Sequence, residues 1–135
     1  MSQAALANLR RGQAAFNQGD LSVMTELTTP DVEWGSTGAF PGLADYYRGP
    51  EAIKRWADLV RSEWDEFEVS LGDVLHDTDG LVVVVEQLRG RGRASGAEVE
   101  MSVFAVYWSA EGGKIRKRAA FTEREAALEA AGLAT

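Results

Sequence analysis

The sequence predicts an α+β fold in a single domain spanning residues 1–135, and three observations carry that reading. The run from Leu81 to Phe121 reads as three long strands closed by tight turns at Ser95-Gly96 and Gly112-Gly113. Ahead of it, apolar residues recur at helical spacing, at Leu6, Leu9 and Phe16 and again at Ile53, Trp56, Val60 and Trp64. With 45% hydrophobic and 26% charged residues and three prolines, 135 residues can bury one core and need no second domain.

Taken in order, Ser2 caps a first helix that ends over Asn17–Asp20, with Gly19 suited to the position after the last turn. A short helix follows over Leu21–Leu27, with Val23, Met24 and Leu27 inward, and Pro30 stops it. Asp31–Ser36 alternates as a strand, placing Val32 and Trp34 inward and Asp31 and Glu33 in solvent. Gly35–Gly49, with four glycines and the aromatics Phe40, Tyr46 and Tyr47, reads as an ordered loop. Gly49-Pro50-Glu51 opens the next helix, whose stripe Ile53, Trp56, Val60 and Trp64 suits it to lie on a sheet. Phe67, Val69 and Leu71 begin a strand that continues through a bulge near Gly72 to His76, a surface imidazole before the Asp79-Gly80 turn. After the three long strands, Thr122-Glu123-Arg124-Glu125 is a capping box for a C-terminal helix.

Register decides which residues share a face, because side chains alternate along a strand. A two-residue turn at Ser95-Gly96 sets Arg93 opposite Glu98, Arg91 opposite Glu100, Glu86 opposite Ala105 and Val84 opposite Tyr107. A turn at Gly112-Gly113 sets Tyr107 opposite Arg118, Ala105 opposite Ala120 and Phe104 opposite Phe121. One face then carries Val83, Val85, Phe104, Val106, Trp108 and Phe121. The other carries Val84, Glu86, Met101, Val103, Ala105, Tyr107, Arg118 and Ala120.

Several function classes fall away on composition. There is no cysteine, hence no disulfide or thiolate chemistry, and a single histidine argues against a zinc site, so no metal is expected. No phosphate loop, nucleotide fingerprint or nucleophile motif occurs, and no cofactor is expected. A net charge of -7 and a pI near 4.7 disfavour nucleic acid. The segment Met1–Asn8 lacks the pattern of a leader, and the longest apolar run, Leu81–Val85, is too short to cross a bilayer. No membrane partner and a cytoplasmic location are therefore expected.

The segments Ala15–Asp20, Pro30–Trp34, Tyr47-Arg48-Gly49, Gly113-Lys114-Ile115 and Glu125–Leu133, in this element order, resemble the SnoaL-like, polyketide-cyclase-type group of the NTF2-like superfamily. The resemblance spans nearly the whole chain and implies a cone: a curved antiparallel sheet with helices on its concave face, a pocket within, and often a homodimer. It also implies where related enzymes carry their reactive groups. The cyclase acid on the last strand falls at Ala120, the isomerase's proton-shuttling aspartate at Trp34, its oxyanion-hole acid near Ala105 and its first-helix tyrosine near Gly12. None of these residues transfers protons.

The same resemblance makes the face bearing Ala105 and Ala120 the concave one. Glu86 then points into the pocket and is the candidate catalytic residue. The expected wall comprises Met101, Val103, Ala105, Tyr107, Arg118 and Ala120, with Trp34, Tyr47 and Trp56 closing it or packing in the core. Glu86 has two readings: an acid/base or ligand anchor partnered by Arg118 or Tyr107, or an internal ion pair with Arg118 or Arg116. Three functions remain open: a pocket for a small, largely apolar molecule; a proton-transfer enzyme (cyclase, isomerase, dehydratase or epoxide hydrolase) using Glu86; and a homodimer formed through the sheet face bearing Phe104 and Trp108.

Overall fold

The computed structural model describes residues 2–20, 22–35, 46–78 and 80–133. The glycine-rich loop expected between the first strand and the next helix falls largely on residues 36–45, and Asp79 begins the turn expected after His76. Both lie outside the described residues. The elements run α1 (Ser2–Gln18), α2 (Ser22–Leu27), β1 (Thr28–Gly35), β2 (Tyr46–Arg48), α3 (Pro50–Glu63), β3 (Trp64–Thr78), β4 (Leu81–Gly92), β5 (Glu98–Ser109), β6 (Ile115–Phe121) and α4 (Arg124–Ala130).

Among the described residues, six strands form one sheet in the order β2-β1-β6-β5-β4-β3. All neighbours are antiparallel except β1 and β6, which run parallel and set Trp34 beside Arg118. Among the described residues, no helix is long and apolar enough to cross a membrane.

Val82, Val83 and Val84 are all buried, because β4 is covered on both faces. On one face Val82, Val84, Ala105 and Tyr107 pack with Ala5 and Leu9 of α1, Val32 and Trp34 of β1, and Ile53 of α3. A second cluster on that side joins Phe16 of α1 to Trp56, Ala57 and Val60 of α3 and to Val69 of β3. On the opposite face Val83 and Val106 pack beneath Ala127 of α4, with Phe104, Trp108 and Phe121 half-buried around them. Glu86 therefore lies on the face that α1 and α3 cover.

Local chemistry accounts for the boundaries. Gly49, at φ 84°, turns the chain into α3, where Pro50 occupies the first turn and Glu51 complements the helix dipole. The stripe Ile53, Trp56 and Val60 is buried, but Trp64 leaves it: the helix ends at Glu63, and Trp64 is extended and opens β3. β3 is an edge strand broken by register shifts after Asp65, Leu71 and Val74, with Glu66 at φ 56°. Such irregularities protect an edge from pairing with other chains. α1 covers part of that edge, where the Asn17 amide donates to Val69 O at 2.9 Å and accepts from Val69 N at 3.0 Å.

Other expectations change as well: Pro30, expected to stop α2, lies inside β1, which begins at Thr28 directly after the helix. The β4–β5 hairpin closes through residues 93–97, with Gly92 N–H donating to Ala97 O, rather than through two residues at Ser95-Gly96. The pairing is accordingly displaced by two residues: Glu86 faces Val103, Val84 faces Ala105 and Arg91 faces Glu98. A shift of two conserves the faces, so both face assignments survive it. The β5–β6 pairing agrees with expectation, with Tyr107 opposite Arg118, Ala105 opposite Ala120 and Phe104 opposite Phe121.

Part of the presumed loop, Tyr46–Arg48, is a strand paired with β1. Lastly, the capping box at Thr122 does not form. Glu123 is the N-cap and makes no side-chain cap bond, so the helix starts one residue later than the motif requires.

Candidate functional site

Between α1 and the sheet lies a cavity of about 70 Å³, several times the ~10–15 Å³ that admits one water. Its walls are mostly apolar, from Leu9 and Phe16 of α1 to Leu88 and Val103 of the sheet and Ile115 at the start of β6. An aromatic chain runs along one side: Phe67, Phe16, Trp56, Trp34 and Tyr107, each ring centred 5.4 to 6.1 Å from the next.

The polar end of the cavity is built by three strands. β4 supplies Glu86, β5 Tyr107 and β6 Arg118, and all three side chains are buried, at 1%, 4% and 6% exposure. Arg118 Nη2 donates to Glu86 Oε1 at 2.6 Å, and Arg118 Nε donates to the Tyr107 hydroxyl at 3.0 Å. Arg118 Nη1 donates to Gly35 O at 2.8 Å. The Tyr107 hydroxyl in turn donates to Glu86 Oε2, which also accepts from Gln13 Nε2 of α1 at 3.2 Å. The guanidinium lies 5.1 Å from the centre of the Trp34 ring and 5.6 Å from that of Tyr107, close enough for cation–π attraction to both.

Electrostatics follow from this burial. Removal from water, and then the Glu86 charge beside it, push the Tyr107 hydroxyl well above the ordinary phenol range. Burial works against the Arg118 charge, but Tyr107 and Glu86 outweigh it and raise the guanidinium further. Tyr107 is thus a neutral donor and Arg118 a fixed cation. Both Glu86 oxygens are occupied, one by the cation and the other by two neutral donors.

Seven of the ten residues singled out from sequence border the cavity: Trp34, Trp56, Glu86, Val103, Tyr107, Arg118 and Ala120. Three do not. Ala105 is fully buried in the core, paired with Val84, and does not line the cavity. Half-buried Tyr47 packs against both core clusters on that side. Met101, also half-buried, sits opposite Leu88 toward the hairpin end of β5.

Gln13, Asn8 and Phe67, which the sequence does not mark as site residues, also border the cavity, as does Gly12, where the resemblance sets the isomerase's tyrosine. Gln13 did carry a signal: it stands four residues after Leu9 and three before Phe16, a polar residue inside an apolar stripe. Gly12 adjoins Leu27, whose Cδ1 would lie 3.3 Å from an added Cβ, so the glycine lets α1 and α2 approach.

A family model for the SnoaL-like domain matches residues 9–118. The chain belongs to the SnoaL-like family. An uncharacterized protein of Mycobacterium tuberculosis is 33% identical over 122 residues, covering 90% of each chain. Among solved structures, Bal32a from a soil-derived mobile gene cassette superposes with a TM-score of 0.78 at 24% identity, covering 96% of this chain and 97% of its own. A candidate SnoaL-like polyketide cyclase from Jannaschia sp. CCS1 gives 0.74 at 18% identity, with 98% and 94% covered. At these identities the structural likenesses establish the fold, the NTF2-like or ketosteroid isomerase-like cone.

Within this SnoaL-like domain, Gly12, Trp34 and Ala120 border the cavity, while Ala105 is buried in the core. None of the four bears a group that can exchange a proton at neutral pH. Glu86 supplies the carboxylate at the cavity wall instead, already bound by Arg118, Tyr107 and Gln13.

Proposed function

We propose that this SnoaL-like protein binds a small, largely apolar molecule in the cone cavity, without using Glu86 to move protons. The observation that carries the reading is the contrast between the two parts of the site. The aromatic and aliphatic walls leave open space, whereas the buried Glu86–Tyr107–Arg118 network has its main polar valences filled. An apolar cavity with a few fixed polar groups is the usual form of a small-molecule site. Thermal-shift screening against small aromatic polyketides, steroids and terpenoids tests it. A ligand at 100 times its Kd should stabilise the fold by about 2.7 kcal/mol, and the shift should saturate. No saturable shift from any of these classes would overturn the proposal.

Proton transfer is the second reading, favoured by the Glu86 carboxylate on the cavity wall and by a bond from Gln13 that, at 3.2 Å, is long enough to yield. Here Glu86→Gln abolishes turnover of an epoxide or enolisable ketone while the protein stays folded; unchanged turnover rejects this reading. The two functions are compatible with a cytoplasmic homodimer through the face where Phe104 and Trp108 remain half-buried. Sedimentation as a monomer at all concentrations would exclude the dimer.

A further inference from the structure

The cavity is too small for the molecules its walls suit. It measures about 70 Å³, well under the ~150 Å³ at which an engineered apolar cavity takes up benzene. Any aromatic occupant therefore needs a wall that moves. Most of the walls are held. α1 is tied through Asn8 to Gly113 O at 3.1 Å and through Asn17 to both backbone groups of Val69, and the polar end is closed around Arg118.

Phe67 is placed differently. A second, open space of about 940 Å³ lies outside the cavity, between the start of β3 and the hairpin end of β4 and β5. Among the described residues, Phe67 alone borders both spaces. Its half-buried ring meets Phe16 edge-on at 5.9 Å and lies close to Gly90, where an added Cβ would stand 3.1 Å from Phe67 Cδ2. The glycine leaves the ring room that any other residue would take.

The backbone that carries the ring is irregular. Asp65 pairs with Arg91 and Glu68 with Arg89, so Glu66 and Phe67 together oppose Gly90 in a bulge, a device that re-aims a side chain. Edge protection accounts equally for the breaks after Leu71 and Val74. Among the described residues, only this one contains a non-glycine residue at positive φ, Glu66 at 56°, and strain of that kind gathers at clamps and switches. The ion pairs along the groove, such as Arg89 with Glu68 at 3.1 Å and Arg93 with Asp65 at 3.0 Å, are exposed and contribute little, so they do not hold the bulge fast.

Resting on the ligand-binding reading above, we propose that Phe67 is the gate of the cavity: its ring turns on the β3 bulge, joins the cavity to the outer groove and admits an apolar ligand from that side. Phe67 then sets the size of molecule that passes and takes no part in chemistry.

The chain contains no cysteine, so a single introduced thiol reports only from where it is placed. Val103→Cys puts one on the cavity wall, and Val83→Cys puts one in the core of the opposite face. Each is reacted with methyl methanethiosulfonate, a small neutral thiol reagent, in three backgrounds: Phe67 intact, Phe67→Ala and Leu88→Ala. Leu88 borders the cavity but not the groove, so its truncation loosens the wall without opening the gate. Position 83 reports the opening that comes from general loss of stability, and the ratio of the rate at 103 to that at 83 isolates local opening. That ratio is expected to rise about ten-fold with Phe67→Ala and to stay within about a factor of two with Leu88→Ala. Phe67→Leu, a milder truncation, is expected to raise it in the same direction and serves if the alanine variant does not fold.

An unchanged ratio in the Phe67 variants, or an equal rise with Leu88→Ala, would overturn the gate and leave the ligand-binding reading standing, because no ligand enters the assay. A thermal-shift screen without any saturable ligand would overturn that reading whatever the thiol rates.

Discussion

Removal of Arg118 is the sharpest test of the site. Arg118→Met deletes donations to Glu86 at 2.6 Å, to Tyr107 at 3.0 Å and to Gly35 O at 2.8 Å, while a methionine of similar length keeps much of the packing against Trp34 and Tyr107. Glu86, only 1% exposed, would keep its carboxylate without a counter-charge. Taking one partner from a buried ion pair costs about 3–5 kcal/mol, mostly the penalty of the charge left behind. At this chain length each kcal/mol moves Tm by about 3–5 °C, so the variant should melt roughly 10–20 °C lower.

Glu86→Leu in the same chain removes the stranded charge. The double variant should therefore recover to within about 2 kcal/mol of the parent, the remainder reflecting the Tyr107 hydroxyl, which loses both partners. Urea denaturation of parent, both single variants and the double variant gives the coupling energy directly, provided the m-values agree. A loss below 1 kcal/mol in Arg118→Met, or strictly additive losses in the double variant, would refute the closed-network argument.

Two more predictions concern neighbouring groups. The Tyr107 hydroxyl keeps its proton in the fold above pH 10, where the unfolded chain releases it, so the native state binds more protons and stability falls as pH rises. The stability gap between the parent and Tyr107→Phe should hold steady below pH 9 and narrow by about 1 kcal/mol between pH 10 and 11 in urea titrations; a constant gap contradicts the raised hydroxyl. Asn17→Ala uncovers both backbone groups of Val69 on the edge strand and should cost about 1 kcal/mol, with faster hydrogen exchange at the Val69 amide. Unchanged exchange there would show that α1 does not protect this edge.

The two β-hairpins show why some of this was legible in the sequence and some was not. A displacement of two residues keeps parity along β4 and β5, so Glu86, Val103, Tyr107, Arg118 and Ala120 share one face in both the expected and the observed register. The slip comes from reading Ser95-Gly96 as a two-residue turn, a reading that the charges then reinforce. Arg93 was matched to Glu98, but in the fold Arg91 takes Glu98 at 2.9 Å and Arg93 takes Asp65 of β3 at 3.0 Å. Exposed pairs of this kind contribute little, so they select register weakly and mislead readily.

Ala105 illustrates the remaining limit, since facing inward does not place a methyl at the cavity surface. Gln13 was legible as an anomaly in the α1 stripe, but its partner lies 73 residues away and is brought to it only by helix-on-sheet packing.

These features bear on how the site can work. A carboxylate poised for proton transfer needs an oxygen free to meet substrate. Glu86 instead faces a guanidinium at 2.6 Å, and its second oxygen is shared by Tyr107 and Gln13. Opening that arrangement for chemistry would strand the Arg118 cation at 6% exposure. The cost is of the same order as the ~3–5 kcal/mol expected for breaking the pair by mutation. A ligand could offset it only by presenting its own acceptor to Arg118. A purely apolar ligand of the kind proposed above would offer none and would leave the network closed, with Trp34, Trp56 and Phe16 shaping the space it enters.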